Sequence, residues 1–179
     1  MLMDIGVISV RYARALLKCS VESKVEDQVY QEMQTLAESY IKVPELRRTI
    51  DNPMIARDTK TELLKVAAGG KVSKVTESLI DLVLKEARES VMQFIANSYI
   101  TLYRQQKNIT RGKLTTAVPV SAAMEQKMRK MVESRTKGTV EFSTEVDPEI
   151  IGGFVLEYDT YRMDTSVKSQ LNKILKQIG

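Results

Sequence analysis

The sequence of 179 residues has no histidine, no tryptophan and a single cysteine, Cys19. Without histidine, the chain cannot supply an imidazole general base, a Ser-His-Asp triad or a histidine ligand for zinc. A lone cysteine cannot close an internal disulfide, and with no imidazole to deprotonate it we expect Cys19 to be a small buried side chain. These absences exclude much of enzyme chemistry, and we expect no catalytic residue, metal or cofactor.

Long apolar runs are also missing. No segment approaches the ~20 consecutive apolar residues that a membrane-spanning helix needs. Residues 1–10 have neither the apolar stretch of a secretory signal nor the arginine and serine content of a mitochondrial presequence, so we expect a protein that faces the cytosol. Hydrophobic residues make up 43% and charged residues 28%, the balance of a globular chain with one or two small domains.

The first 105 residues predict a bundle of helices. Apolar residues recur there at helical spacing, Pro44, Pro53 and the pair Gly69-Gly70 interrupt the pattern, and no segment alternates as a strand does. Ser73 is a suitable N-cap for the fifth helix. The predicted helices span residues 8–21, 25–42, 44–50, 57–68, 73–89 and 90–105.

The pattern changes after residue 105, which predicts a second domain over residues 106–179. Residues 113–120 are extended and contain Pro119, residues 121–135 return to helical spacing, and residues 139–146 and 153–158 have the pattern of strands. A closing helix carries an apolar stripe of Val167, Leu171, Ile174, Leu175 and Ile178, with Asp164, Thr165 or Ser166 as its cap. The predicted fold is therefore mainly α: a six-helix bundle followed by a small α+β domain.

Two helices of the bundle have apolar arcs that are too wide for one contact. In the first helix Arg11, Arg14 and Lys18 fall at i, i+3 and i+7 while apolar residues occupy most remaining directions, and in the fifth a narrow polar stripe begins at Glu77. Both helices fit the centre of a bundle, where they would be buried on several sides, which is the simpler interpretation. They also fit the two walls of a groove for an amphipathic helix of a partner.

A helix in the second domain pairs a methionine face with a basic one. Met124, Met128, Met131 and Val132 share the apolar face, which fits a core stripe better than a partner-binding surface. Basic residues between 127 and 137 lie opposite, and they leave a nucleic-acid-binding adaptor as the alternative function. The net charge of +4 is small and no RNA-binding or helix-turn-helix pattern accompanies it, so a solvated surface is the simpler interpretation.

Residues 147–153, with the sequence D-P-E-I-I-G-G, are where a search for chemistry would begin. Two carboxylates without a third ligand make a weak metal site, and the glycines lack the spacing of phosphate-binding loops. A turn that brings the chain close to a neighbouring segment explains the glycines without chemistry. An enzyme remains a third interpretation that no spacing of residues favours.

The order of these features resembles the delta subunit family of bacterial ATP synthase, whose mitochondrial relative is the oligomycin-sensitivity-conferring protein. The most specific match is V-D-P-E-I-I-G-G over residues 146–153, followed by D-T-S-V over residues 164–167 and a closing helix. Softer matches are R-Y-A-R-A-L at 11–16, Asn52-Pro53 with Lys60, and L-T-T-A at 114–117. The motif residues that we carry over are Asp147, Pro148, Gly152, Gly153, Asp164 and Ser166.

The resemblance implies a non-catalytic stator subunit of a proton-translocating ATP synthase. Such a subunit ties the catalytic head to the peripheral stalk and resists the torque of the rotor. It would be a peripheral membrane protein on the cytoplasmic side of the bacterial inner membrane, with no nucleic acid and no small-molecule ligand.

The resemblance also implies two partners. In the family, the first and fifth helices form a groove for the N-terminal helices of the alpha subunit, and the second domain engages the C-terminal end of the stalk's b subunit. The residues expected at the alpha interface are Tyr12, Ala15, Leu16, Cys19, Leu79, Leu82 and Val83. Those expected at the stalk interface are Met124, Met128, Met131 and Val132.

Overall fold

The computed structural model describes residues 2–136, 138–158 and 160–178, and for residues 2–4, 177 and 178 it describes the backbone only. The chain divides into two compact units, one up to Gln105 and one from Gln106. Among the described residues, no helix has both the length and the apolar character needed to cross a bilayer. We describe each unit by itself.

The first unit is helical throughout the part of the chain that is described. Its α-helices are α1 (Leu2–Glu22), α2 (Glu26–Lys42), α3 (Pro44–Asp51), α4 (Arg57–Ala67), α5 (Lys74–Lys85) and α6 (Met92–Lys107), with a 3₁₀ helix at Glu89–Val91. The predicted bundle is confirmed.

The end of α5 differs from the prediction, which continued the helix to residue 89. Ala87 adopts a positive φ of 51°. The Arg88 N–H donates to the Val83 carbonyl at 2.9 Å, and the Ala87 N–H donates to that of Leu84 at 3.3 Å. This left-handed closure ends the helix and turns the chain away from its axis. A prediction from apolar spacing misses it because alanine normally favours the helix interior.

The core of the bundle lies on α2, α5 and α6. Met33, Ile80, Ile95 and Tyr99 are among its fully buried side chains. The Tyr99 hydroxyl lies 3.0 Å from the Ser20 hydroxyl and donates to the Glu26 carbonyl at 3.1 Å. Burial raises the pKa of Tyr99 to about 12. Because of these hydrogen bonds, the Tyr99 hydroxyl can be buried beside Ser20 of α1 without an unsatisfied donor.

Two of the softer sequence matches have structural roles in this unit. Lys60 is buried on α4, and its Nζ donates to Glu89 Oε1 at 2.6 Å, which ties α4 to the 3₁₀ helix. Although burial acts to raise the pKa of Glu89, the hydrogen bond from Lys60 holds it below its usual value. Asn52 Oδ1 accepts the Met54 N–H at 2.9 Å in the turn before α4.

The second unit combines a four-stranded sheet with two helices among its described residues. Its elements are β1 (Ile109–Thr116), α7 (Ala122–Thr136), β2 (Thr139–Val146), a 3₁₀ helix at Pro148–Ile150, β3 (Phe154–Tyr158), β4 (Tyr161–Asp164) and α8 (Val167–Ile178). The strand order is β2-β1-β3-β4. β1 and β2 are parallel and joined through α7, whereas the pairs β1–β3 and β3–β4 are antiparallel. The predicted α+β class is confirmed.

The sequence did not predict β4. This strand has four residues and pairs with β3 alone in the sheet order, and Tyr161 at its start is exposed. A strand at an edge needs no apolar alternation, so its pattern gives no signal. β1 also begins earlier than the predicted extended segment and ends at Thr116, before Pro119.

Candidate functional site

An apolar groove of about 310 Å³ lies between α1 and α5. On each helix, the residues that line the groove recur every three or four positions, because one face of α1 is turned toward one face of α5. It is lined by Tyr12, Ala15, Leu16, Cys19, Lys74, Val75, Ser78, Leu79 and Leu82. Six of the seven residues that we expected at the alpha interface therefore lie together in one groove.

The groove has a buried floor and an open rim. Leu16 and Leu79 are only 4% and 6% exposed, so they belong to the bundle core as much as to the groove. Leu82 is 46% exposed, and Ala15 and Cys19 are exposed as well. The apolar surface available to another molecule is therefore supplied by the rim.

Val83 does not line the groove. It is fully buried, and it shares the buried face of α5 with Ile80 three residues before it. Leu82, one residue earlier, is turned by about 100° around the helix axis and faces the groove. Val83 therefore cannot reach a partner while the bundle is folded.

The prediction that Cys19 is buried was wrong. Cys19 is exposed and lies in the groove beside Ala15. The buried face of α1 carries Ser9, Ala13, Leu16 and Ser20 instead. Two of these are polar, but the Ser9 hydroxyl donates to the Gly6 carbonyl at 2.9 Å and the Ser20 hydroxyl to the Leu17 carbonyl at 2.8 Å, which satisfies them inside the bundle.

Arg88 contacts the groove residue Tyr12, although it does not itself line the groove. Its Nη1 donates to the Tyr12 hydroxyl at 3.1 Å, and its guanidinium carbon lies 5.9 Å from the centre of the Tyr12 ring. The predicted fifth helix, residues 73–89, included Arg88, but the helix ends at Lys85 and the positive φ of Ala87 turns Arg88 toward the tyrosine. The contact orients the Tyr12 ring in the groove wall.

A buried carboxylate fixes the N-terminal end of α5. Glu32 on α2 accepts the Ser73 N–H at 2.6 Å, the Ser73 hydroxyl at 2.9 Å, the Thr76 hydroxyl at 2.5 Å and the Gln28 side-chain amide at 2.8 Å. Ser73 is the predicted N-cap and also accepts the Thr76 N–H at 3.3 Å. The carboxylate therefore satisfies donors at the start of the helix that forms one groove wall.

We expect Glu32→Ala to lower the free energy of unfolding by about 3 kcal/mol, because it leaves buried donors of Ser73 and Thr76 without an acceptor. Urea denaturation followed by circular dichroism measures the change. The matched control is Glu38→Ala on the same helix, where the carboxylate is exposed and pairs with the exposed Lys42 at 2.7 Å. That control should cost less than about 0.5 kcal/mol, and equal losses in the two variants would refute the role given to Glu32.

In the second unit, the predicted methionine face is largely core. Val132 is fully buried with Leu114 and Leu156, and Met128 and Met131 pack against that cluster. Val132 is therefore not available to a partner. Met128 and Met131 are half-buried, and Met128 also lines a surface pocket.

Met124 and its surroundings form the exposed remainder of that face. Met124 is 44% exposed and lines an apolar pocket of about 320 Å³. Val118 and Ile151 line the same pocket and are exposed. The predicted apolar stripe of α8 also faces solvent at Val167, Leu171, Ile174 and Leu175, whereas the side chain of Ile178 lies outside the described residues.

The motif around Asp147 builds a turn. Pro148 begins the 3₁₀ helix and the Asp147 carboxylate accepts the Glu149 N–H at 3.0 Å. Gly153 has a φ of +74°, and a Cβ there would lie 2.4 Å from the Thr165 carbonyl oxygen; a Cβ at Gly152 would lie 3.1 Å from a Val167 methyl carbon. The glycines are needed because this turn packs against the start of α8.

Asp164 and Ser166 cap α8. Hydrogen bonds from the Ser166 hydroxyl at 2.6 Å, the Ser166 N–H at 3.0 Å and the Ser169 hydroxyl at 2.8 Å lower the pKa of Asp164 to about 2. Ser166 Oγ in turn accepts the Ser169 N–H at 3.2 Å. Both motifs therefore have a structural purpose. Within the described residues, no group of three or more Asp, Glu or Cys side chains is placed to hold a metal ion.

Two of the basic side chains of α7 that the structure describes have polar partners on the same unit. Arg129 pairs with Glu125 at 3.1 Å, and Arg135 donates to the Tyr158 hydroxyl at 3.4 Å. Lys127 and Lys130 are exposed, and Lys137 lies outside the described residues.

Comparisons with known proteins agree over nearly the whole chain. Residues 8–178 match the family model described as ATP synthase delta (OSCP) subunit. The chain is 48% identical over 176 residues to the ATP synthase subunit delta of Phocaeicola vulgatus, covering 98% of this chain and 95% of that protein. It is 42% identical over 172 residues to that of Parabacteroides distasonis, covering 96% of each.

Among solved structures, the fold is similar to that of a chain in the cryo-EM composite structure of the Toxoplasma gondii mitochondrial ATP synthase hexamer. The TM-score is 0.68 at 18% identity, over 95% of this chain and 96% of that one. At this identity the likeness concerns the fold, and it agrees with the predicted mainly α architecture. None of these relatives supports the nucleic-acid-binding alternative.

Proposed function

Because the chain belongs to the ATP synthase delta (OSCP) subunit family, we propose that its two units hold two different partners in that complex. The protein is a non-catalytic stator subunit of ATP synthase, which links the catalytic head to the peripheral stalk so that rotor torque does not spin the head. The first unit binds the N-terminal helix of the alpha subunit, and the second binds the C-terminal end of the stalk's b subunit.

The observation that carries the alpha contact is the groove between α1 and α5. Its lining is apolar apart from Lys74, Ser78 and the polar ends of Tyr12 and Cys19, and its walls are two helices. An amphipathic helix buries its apolar stripe in such a groove through anchors at i, i+3, i+4 and i+7. The exposed side chains of Ala15, Cys19 and Leu82 supply the contact surface, while Leu16 and Leu79 form the floor.

The stalk contact is assigned to the exposed apolar surface of the second unit. That surface includes Met124, Val118 and Ile151 around one pocket, and the solvent-facing stripe of α8. Val132 is excluded because it is buried in the core. Several exposed large apolar side chains on one small unit are typical of an interaction surface.

The cellular location of the protein follows from the ATP synthase complex to which its family belongs. The protein is a peripheral component of ATP synthase, and we assign it to the cytoplasmic side of the bacterial inner membrane because the catalytic head to which it would bind lies there. Measuring its release from inverted membrane vesicles by low-salt washing, with retention of the membrane sector, tests this assignment.

Cys19 offers a direct test of the groove, because it is the chain's one cysteine and lines the groove wall. We expect a peptide of the alpha subunit's N-terminal residues to slow alkylation of Cys19 by a maleimide. At a peptide concentration about ten times its Kd, roughly one tenth of the groove is free, so the rate should fall about tenfold.

The control is a Cys19→Ser, Val66→Cys double variant, which moves the thiol to an exposed position on α4 that does not line the groove. Its alkylation rate should not respond to the peptide. Unchanged labelling of Cys19 at a concentration where calorimetry detects bound peptide would place the alpha helix elsewhere. Absence of any binding would remove the alpha contact altogether.

A further inference from the structure

The groove between α1 and α5 has a basic rim. On α1, Arg11 lies four residues before Ala15 and Lys18 three residues after it, so helical spacing places both beside a residue that lines the groove. On α5, Lys74 lines the groove and Lys85 lies three residues after Leu82. All four side chains are exposed.

Acidic residues on the same outer stripes are fewer. Glu22 continues the stripe of Lys18 on α1, and Asp81 lies between Lys74 and Lys85 on α5. Glu77 is directed toward α4, where it pairs with Lys65 at 3.4 Å. Glu86 is also exposed and lies four residues after Leu82, so with Arg88 on the Tyr12 ring, five cations and three carboxylates surround an apolar groove.

We propose that the helix bound in this groove carries acidic side chains on both flanks of its apolar stripe. This inference rests on the proposed function, and it specifies the chemistry of the partner. A helix is about 10 Å wide with its side chains, so when its stripe contacts the groove its flanking positions lie beside the two rims. Acidic residues there pair with the rim cations, and basic ones are repelled.

The charges select the partner and speed its capture more than they set the affinity. Ion pairs at an exposed rim contribute little each, whereas complementary potentials raise the association rate and exclude helices of the wrong charge. An apolar groove alone would accept any amphipathic helix of the right width.

The test measures binding of the alpha subunit's N-terminal peptide to the full chain by calorimetry. Raising the salt from about 50 to about 300 mM should weaken binding several-fold, because rim charges are screened. Lys18→Glu and Lys74→Glu should each weaken it roughly three- to tenfold at low salt. A glutamate at the first residue of α5 is favoured by the helix dipole, so Lys74→Glu should not unfold the wall.

The matched control is Arg48→Glu on α3, an exposed cation that does not line the groove. Its affinity should equal that of the unmodified chain. A peptide with its acidic side chains changed to amides should associate more slowly, bind a few-fold less tightly and lose the salt dependence. If neither salt nor the Lys18→Glu and Lys74→Glu charge reversals change the affinity, the acidic-flank inference is wrong and the groove function still holds. If the peptide does not bind at all, both are wrong.

Discussion

A chain that ends at Lys107, where α6 is complete, should bind the alpha-subunit peptide as tightly as the full chain and yet fail to restore coupled proton pumping. All residues that line the groove lie between Tyr12 and Leu82. The wall of α5 is held by Glu32 on α2, and the bundle has its own core on α2, α5 and α6. The free energy of the alpha contact should therefore not depend on the second unit.

Coupling should be lost because the truncated chain holds only one of its two partners. In the full chain, one covalent link joins the two contacts, and a tether of this kind gives the second contact an effective concentration on the order of millimolar. Two moderate affinities then resist dissociation together. Without residues from 108 onward, the alpha-bound bundle has no attachment to the stalk, and torque from the rotor can turn the head with it.

The measurement is ATP-driven proton pumping in membranes that lack the native subunit, after addition of the full chain or of the truncated one. Calorimetry with the alpha peptide on the same preparations shows that the truncated chain is folded and binding. Pumping restored by the truncated chain would disprove the two-partner model. Loss of peptide binding would mean instead that the groove depends on residues beyond Lys107.

Helical periodicity identified α1 and α5 as helices with unusually wide apolar arcs, whereas the choice of a groove over a buried core came from the resemblance to the family. Tyr12, Ala15 and Cys19 recur on one face of α1, and that spacing is visible in the sequence. What periodicity could not supply is the direction of the core. Ser9 and Ser20 are polar in the sequence but buried in the bundle, because each hydroxyl bonds to a carbonyl of its own helix. The buried face of α1 was therefore misjudged.

The same limit applies to Val83 and Val132. Each lies on a helix whose apolar arc is wider than the core that it faces. Which residues of that arc are buried depends on the neighbouring elements that pack against the helix. Arg88 depends on a single left-handed residue, Ala87, that no propensity favours. β4 is short and lies at an edge, so its formation depends on pairing with β3 and not on its own sequence.

Leu82→Lys should weaken binding of the alpha peptide by about 2 to 3 kcal/mol, roughly 30- to 150-fold in Kd, and should leave the melting temperature of the chain within a degree or two. Leu82 is 46% exposed, so the lysine can reach water in the free protein, but an occupied groove would bury its charge against an apolar helix. Calorimetry gives the affinity, and thermal unfolding followed by circular dichroism gives the stability.

Leu16 and Leu79 cannot serve this test, although they line the same groove. They are almost completely buried in the free chain, so Leu16→Glu or Leu79→Lys should cost about 3 kcal/mol or more of folding free energy, and lost binding would then report an unfolded bundle. Val66→Lys is the proper control for Leu82→Lys, since Val66 is an exposed apolar residue on α4 outside the groove. It should change neither binding nor stability. Equal affinity of the Leu82 and Val66 variants would place the alpha helix away from α5, because a lysine in the α5 wall would lose its water beneath a bound apolar stripe.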